Sequence, residues 1–212
     1  MQAGKNKVFL EVAGQTILER SLGLFQSSPS VDQLVLVVRS SEIGRCQAIG
    51  SKYPKLSRIV PGGNLRHQSE FAGIQALAAQ IDGDKVQVVL VHDAVRPFAS
   101  VQLVERLIAA CQQSIGCIPG MTLPPTVVGV DQGWITGYPS QLVAVQTPQA
   151  FQATWLLEAH NKAAREGFVA TDTASVIEWA GGDVRVIEGE ADNVKITTPR
   201  DLELAERIAR MR

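Results

Sequence analysis

Residues 85–98 read KVQVVLVHDAVRPF, and the run from Val86 to Val91 is apolar or amide at every position and mostly β-branched. That is the pattern of a strand buried on both faces of a parallel sheet. The run stops at His92 and Asp93, and Arg96 and Pro97 follow. In open α/β sheets ligands sit beyond the carboxyl ends of the strands. Asp93 is therefore placed to hold a metal or a hydroxyl, and Arg96 to hold a phosphate. The same two residues also suit a turn cap and its local ion-pair partner.

Outward from this strand, short apolar runs alternate with amphipathic stretches. On the N-terminal side the pattern predicts a short apolar segment at Phe9–Val12, a helix over 15–25, strands over 33–38 and 57–60, and helices over 43–49 and 65–80. On the C-terminal side it predicts helices over 101–113, 151–166 and from Thr171 or Asp172 to Trp179. Strands are expected over 184–187 and 193–197, and a last helix opens at Pro199. This alternation implies α/β architecture with a mainly parallel sheet. Between Cys117 and Tyr138, Pro119, Pro124 and Pro125 speak against a helix or a central strand. Val127–Thr136 around Asp131-Gln132-Gly133 predicts a hairpin, the core of a projecting arm over 120–145.

The 212 residues suffice for one large domain, 1–212. Net charge is −1, with no sustained basic tract, which speaks against a dedicated nucleic-acid surface. No apolar run approaches the roughly 18 residues of a membrane span. Cys46, Cys111 and Cys117 lack metal-type spacing, so free thiols in a reducing cytoplasm are expected.

Three further places carry candidate chemistry. In PGGNLRHQS, residues 61–69, Gly62 and Gly63 between a strand and a helix let backbone N–H groups approach a ligand, with Asn64 and Ser69 able to read a base edge; a plain strand-to-helix turn uses the same residues. In ADNVKITTP, residues 191–199, Asp192 and Lys195 are either site residues or a solvated ion pair. Lys7 by itself reads as a surface lysine. His92 reads as a hydrogen-bonded member of the strand-end turn, and no His/Cys cluster suggests zinc.

The stretches NKVFLEVAGQTILERSL, PGGNLRHQS, VLVHDAVRPF, QTPQAF, TDTASVIE and ADNVKITTPRDLELAE, in this order, resemble the 2-C-methyl-D-erythritol 4-phosphate cytidylyltransferase family over nearly the whole chain. The resemblance implies a Rossmann-like nucleotidyltransferase, a homodimer through the arm, that transfers cytidylyl from CTP to a polyol phosphate with Mg²⁺ and releases pyrophosphate. It implies that Lys7 stabilises charge on the triphosphate, and that Gly62, Gly63, Asn64 and Ser69 form the cytosine and ribose pocket. Asp93 and Arg96 are implied beside the metal and acceptor, with Thr136 and Thr171 as substrate contacts. Asp192 would be a second metal-side carboxylate, and Lys195 would position the acceptor phosphate.

The departures from the family bear on specificity. Asn64 stands for an aspartate, Leu123-Pro124-Pro125 for a motif with a carboxylate, Pro139 for an arginine, and Gln152-Ala153 where an arginine reaches the acceptor phosphate. They leave open a cytidylyltransferase for ribitol 5-phosphate or another polyol phosphate, or a non-catalytic homologue. The family also opens with a strand and a glycine-rich loop ending in an arginine just before the residue matching Met1. The chain is accordingly expected to begin inside that motif, lacking a sheet strand, backbone phosphate donors and one cation. Sequence upstream of Met1 is expected to supply them.

Overall fold

A computed structural model describes residues 6–212. The expectation that the chain begins inside a family motif at Met1 falls on residues 1–5, which lie outside the described residues. Asn6 caps a 3-10 turn over Lys7–Phe9, its side chain accepting from the N–H of Val8. Strands β1 (Glu11–Val12) and β2 (Gln15–Thr16) make a small antiparallel ribbon that runs into helix α1 (Ile17–Ser27). Thr16 caps α1 reciprocally: its hydroxyl accepts from Glu19 N–H at 3.1 Å while Glu19 Oε2 accepts from Thr16 N–H at 3.0 Å. Thr16→Ala is expected to lower unfolding free energy by about 1 kcal/mol in urea titrations.

Next come β3 (Leu34–Val38), α2 (Ile43–Gly50) and β4 (Leu56–Pro61), where β3 and β4 pair in parallel. The helix expected over 65–80 is two helices, α3 (Arg66–Gln75) and α4 (Ala78–Asp82). The break follows a tightened turn, in which Leu77 N–H bonds to the carbonyl of Ile74 rather than one residue further back. Strand β5 (Val88–Val91) is the apolar run that opened the reading, and α5 (Val101–Cys111) follows it.

Beyond α5 three expectations fail. Gly116–Thr122 is strand β6, and it is central, flanked by β10 (Gln149–Gln152) and β9 (Val143–Val145) on one side and β11 (Val184–Glu188) on the other. Pro119 is tolerated there because it falls between the β10 and β9 ladders, where its carbonyl accepts from Gln146 N–H at 2.8 Å and no donor is required of it. Strand β10 occupies the start of the stretch expected to be helical. It runs antiparallel to both β5 and β6, so β5, β6 and β11 share one direction and β10 and the short β9 are the reversed members. The hairpin is β7 (Gly129–Asp131) and β8 (Trp134–Gly137), turning through Gln132 and Gly133, both at positive φ.

Helix α6 (Ala153–Glu166) and α7 (Thr173–Trp179) follow; Asp172, not Thr171, caps α7 through its bond from Ser175 N–H. Helix α8 (Pro199–Met211) begins with proline in its first turn. Residues 193–197 form no strand. They are held instead by side chains and single backbone bonds, described below.

Side chains alternate across the sheet as a two-residue period requires. Cys117 and Ala150 face one core with Leu24 and Phe25 of α1 and Leu103 and Leu107 of α5. Their neighbours Ile118 and Phe151 face the other, with Leu156 of α6 and Ile177 of α7. Helices thus cover both faces, which is why β5 reads as a continuous apolar run. Among the described residues β3 and β4 are hydrogen-bonded to no strand of the five-stranded sheet.

Candidate active site

The carboxyl end of β5 delivers Asp93 to a cleft edge. One bond holds its backbone and two brace the turn around it: Asp93 N–H donates to Thr147 Oγ1 at 3.0 Å, Thr147 Oγ1 meets His92 Nδ1 at 3.2 Å, and His92 Nε2 meets the Arg96 carbonyl at 3.1 Å. A carbonyl only accepts, so His92 carries its proton on Nε2, and the Thr147 hydroxyl donates to Nδ1. Burial holds His92 down at about 4, which keeps the imidazole neutral at physiological pH.

The loop after β11 brings Lys195 over Asp93. Ile196, fully buried against Val12, Ile17 and Phe98, donates its N–H to the Val95 carbonyl at 2.9 Å. Asn193, also fully buried, donates through Nδ2 to the Thr147 carbonyl at 2.9 Å. Pinned on both sides, Lys195 places Nζ 2.7 Å from Asp93 Oδ2. Burial pushes the Asp93 carboxyl up, but the bond and charge of Lys195, with the charge of Arg66, outweigh it and leave the group below its ordinary value. Asp93 is therefore an anion at neutral pH.

Arg96 is not the partner of Asp93. Its guanidinium donates to the carbonyls of Asn193 at 2.8 Å and Val145 at 3.2 Å, tying the Lys195 loop to the root of the arm, while its buried Nε finds no partner among the described residues. The cation that does reach Asp93 besides Lys195 is Arg66, with Nη2 3.5 Å from Oδ1. Sequence reading passed over Arg66; its one signal is its place as first residue of α3 directly after the two-glycine turn.

That turn lines a cavity of about 300 Å³ with Asn6, Val8, Val37, Arg66 and Ala94. Gly62, Gly63, Asn64 and Ser69 all border it. The glycines have a packing reason: a Cβ on Gly62 would meet Ser69 Oγ at 2.7 Å, and one on Gly63 would collide with Gln68. The loop's N–H groups are less available than expected. Gly62 donates to the Val38 carbonyl, and Asn64 and Leu65 donate to Gln68 Oε1. The exposed Asn64 side chain remains able to read a base edge, whereas the Ser69 hydroxyl donates to the Gly63 and Leu65 carbonyls at 3.3 and 3.2 Å. Lys7 sits between Asn6 and Val8, two residues that line the cavity, and among the described residues forms no ion pair.

The remaining expected residues lie further out. Thr136 is exposed on β8, and exposed Thr171 bonds to Ser175 Oγ at 3.4 Å beside the start of α7. Asp192 pairs not with Lys195 but with Arg212 at the end of α8, at 3.7 Å. Two carboxylates, Asp93 and Asp192, thus answer to different cations.

The model of the family 2-C-methyl-D-erythritol 4-phosphate cytidylyltransferase (IspD) matches residues 1–211. The chain belongs to this family. Two proteins that bear this name are similar to it throughout: that of Bacillus licheniformis is 39% identical over 98% of this chain and 89% of its own length, and that of Geobacillus kaustophilus 37% identical over 98% and 90%. A crystal structure of 4-diphosphocytidyl-2C-methyl-D-erythritol synthase from Anaerococcus prevotii superposes with a TM-score of 0.88 at 29% identity, covering 99% of this chain and 92% of that one. The cytidylyltransferase of Thermus thermophilus gives 0.75 at 34% identity, covering 98% and 95%.

For a cytidylyltransferase the donor set suits a magnesium ion that arrives with its nucleotide. Among the described residues no three His, Cys, Asp or Glu side chains cluster as a protein-only cage. Mg²⁺ needs no such cage, since it keeps several waters and is bound through one or two carboxylates together with substrate phosphates. Asp93, ionised at a cleft edge, fits that role.

Proposed function

We propose that the chain transfers a cytidylyl group from CTP to 2-C-methyl-D-erythritol 4-phosphate, a step of isoprenoid biosynthesis, in the cytoplasm. A phosphate oxygen of the acceptor attacks the α-phosphorus of CTP. The new P–O bond forms as the bond to the β-phosphate oxygen breaks, and pyrophosphate leaves with that electron pair. The observation that carries this reading is the meeting of Asp93, Lys195 and Arg66 at the edge of the Gly62–Ser69 cavity, in a chain matched from end to end by one family.

Each residue has work suited to its place. Asn64 accepts from the cytosine amino group through its amide oxygen. Lys7 and Arg66, at the cavity's rim, offset charge that develops on the triphosphate. Lys195, held by Ile196 and Asn193, orients the acceptor phosphate for attack. Asp93 would hold Mg²⁺, which supplies neutralisation of phosphate charge; Asp192, paired with Arg212, is not placed beside it. Arg96 acts through the backbone it ties down; Thr171 and Thr136, further out, are assigned to the acceptor by the family resemblance alone.

The test is pyrophosphate release by the purified chain with CTP, Mg²⁺ and 2-C-methyl-D-erythritol 4-phosphate, run beside ribitol 5-phosphate. Release with the first acceptor at the higher kcat/KM is the expected result. Preference for ribitol 5-phosphate would replace the acceptor, and no release with either would remove the activity.

The arm supports a homodimer. Val130, Trp134, Ile135 and Tyr138 are all more than half exposed on or beside the hairpin, with Trp134 at 80%. Apolar exposure of this kind marks an interaction surface. Trp134→Glu is expected to convert a dimer to a monomer in sedimentation velocity runs, and a wild-type monomer would sink the assignment.

A further inference from the structure

Glu70 is hard to explain as packing. Its side chain is 9% exposed, and neither of its oxygens has a hydrogen-bond partner of normal geometry. The hydroxyl of Thr173 faces it from the start of α7, close enough to favour the carboxylate but without normal hydrogen-bond geometry among the described residues. Burial pushes the Glu70 carboxyl above its ordinary value; the Arg66 charge and the Thr173 hydroxyl oppose this, while Asp93 and Asp172 add to it. A carboxylate so placed is a net cost to folding, and an apolar side chain of similar size would serve the core better.

What Glu70 does have is Arg66. The two lie one helical turn apart on the same face of α3, with Arg66 Nη1 2.7 Å from Glu70 Oε1. The other end of the same guanidinium, Nη2, stands 3.5 Å from Asp93 Oδ1, whereas Lys195 approaches Oδ2 to 2.7 Å. One fork is shared between two carboxylates, and the buried one has the closer hold.

We infer that Glu70 is a positioning residue for the transfer reaction: by holding Nη1 it keeps Arg66 at the cavity rim and stops the guanidinium from closing on Asp93. Without the Glu70 charge, Arg66 is free to take Asp93 in a two-bond fork, the geometry that Arg and carboxylate favour. Asp93 would then be occupied when magnesium and acceptor arrive. The inference rests on the cytidylyl transfer proposed above.

The test compares wild type, Glu70→Gln, Glu70→Val, Arg66→Ala and the Glu70→Gln/Arg66→Ala double variant. Initial rates with CTP, Mg²⁺ and 2-C-methyl-D-erythritol 4-phosphate are read alongside Tm. Loss of a side chain that orients a site residue typically lowers activity by at least about 10-fold, and that fall is expected in kcat for both Glu70 variants, with KM for CTP little changed. Glu70→Val is expected to keep or raise Tm, so that stability and rate move in opposite directions. In the Arg66→Ala background Glu70→Gln is expected to have no further effect, because there is no guanidinium left to hold. Glu70 variants with unchanged kcat, or effects that simply multiply in the double variant, would overturn the inference.

One readout does not need turnover. The Arg66 Nε–H resonance in the free protein is expected to broaden or shift in Glu70→Gln, and an unaltered signal overturns the inference by itself. A wild-type chain that releases no pyrophosphate overturns the function instead, and the Arg66 signal still decides whether Glu70 holds the guanidinium.

Discussion

Asp93→Asn is expected to lower the rate of pyrophosphate release by about 10²-fold or more, the scale on which loss of one preorganised charged contact acts in an enclosed site. The amide keeps the shape of the side chain, and the backbone bond from Asp93 N–H to Thr147 is untouched. What disappears is the anion that Lys195 meets at 2.7 Å and that Arg66 flanks at 3.5 Å. Lys195 loses its counter-charge, and the magnesium ion proposed to bind there would lose a ligand. Activity within a few-fold of wild type would show that the end of β5 is not where the reaction takes place.

The same substitution has a pH signature in stability. The folded-state carboxyl of Asp93 lies below its ordinary value of 3.8, so ionisation favours the fold above that value and the contribution is lost as pH falls through the folded pKa. The gap in unfolding free energy between wild type and Asp93→Asn should therefore be full at neutral pH and shrink below about pH 4.

Phe151→Ala is expected to cost about 3–5 kcal/mol, the range for deleting a buried aromatic ring. Phe151 is fully buried on β10, where it stands opposite Val89 of β5 and Gly116 of β6. Its ring fills the space a side chain at Gly116 would take: a Cβ there would lie 2.7 Å from Phe151 Cδ1. Removing the ring opens a cavity between the strand that carries Asp93 and the strand that supports the arm. Domains of this kind are stable by only about 5–15 kcal/mol, so a large part of the total would go. Urea unfolding should show a lower midpoint with an unchanged slope. A shift of less than about 1 kcal/mol would mean that the site collapses around the smaller side chain.

Much of the fold could be read locally. The β5 run, the Thr16 and Asp172 caps, Pro199 at the start of α8 and the Asp131-Gln132-Gly133 turn all declare themselves within a few residues, because capping, φ preference and strand alternation are short-range effects. Strand β10 could not be read this way. QAFQ carries two glutamines and one aromatic, and nothing within it announces that β5 and β6 pair with it on its two edges or that Gln149 ends up 2% exposed. Pro119 misled for a related reason, since a proline is excluded from a strand only where a ladder needs its missing N–H.

The site divides along the same line. The chain order of residue types was enough to propose Lys7, Gly62, Gly63, Asn64, Ser69, Asp93 and Lys195, and to assign the family that the end-to-end match shows. It could not say which charge meets which. Asp192 and Lys195, neighbours in the chain, turn to Arg212 and Asp93; Arg96, three residues from Asp93, turns to backbone carbonyls; and Arg66 and Glu70 join the site unannounced. Residue order was sufficient for most of the helices, the β5 strand and the set of side chains available for chemistry, since these follow from local backbone preference and side-chain type. The pairings emerge only in the folded molecule, because a Coulomb contact depends on distance in space, and that distance is set by the packing of Ile196, Asn193 and Phe151 far along the chain.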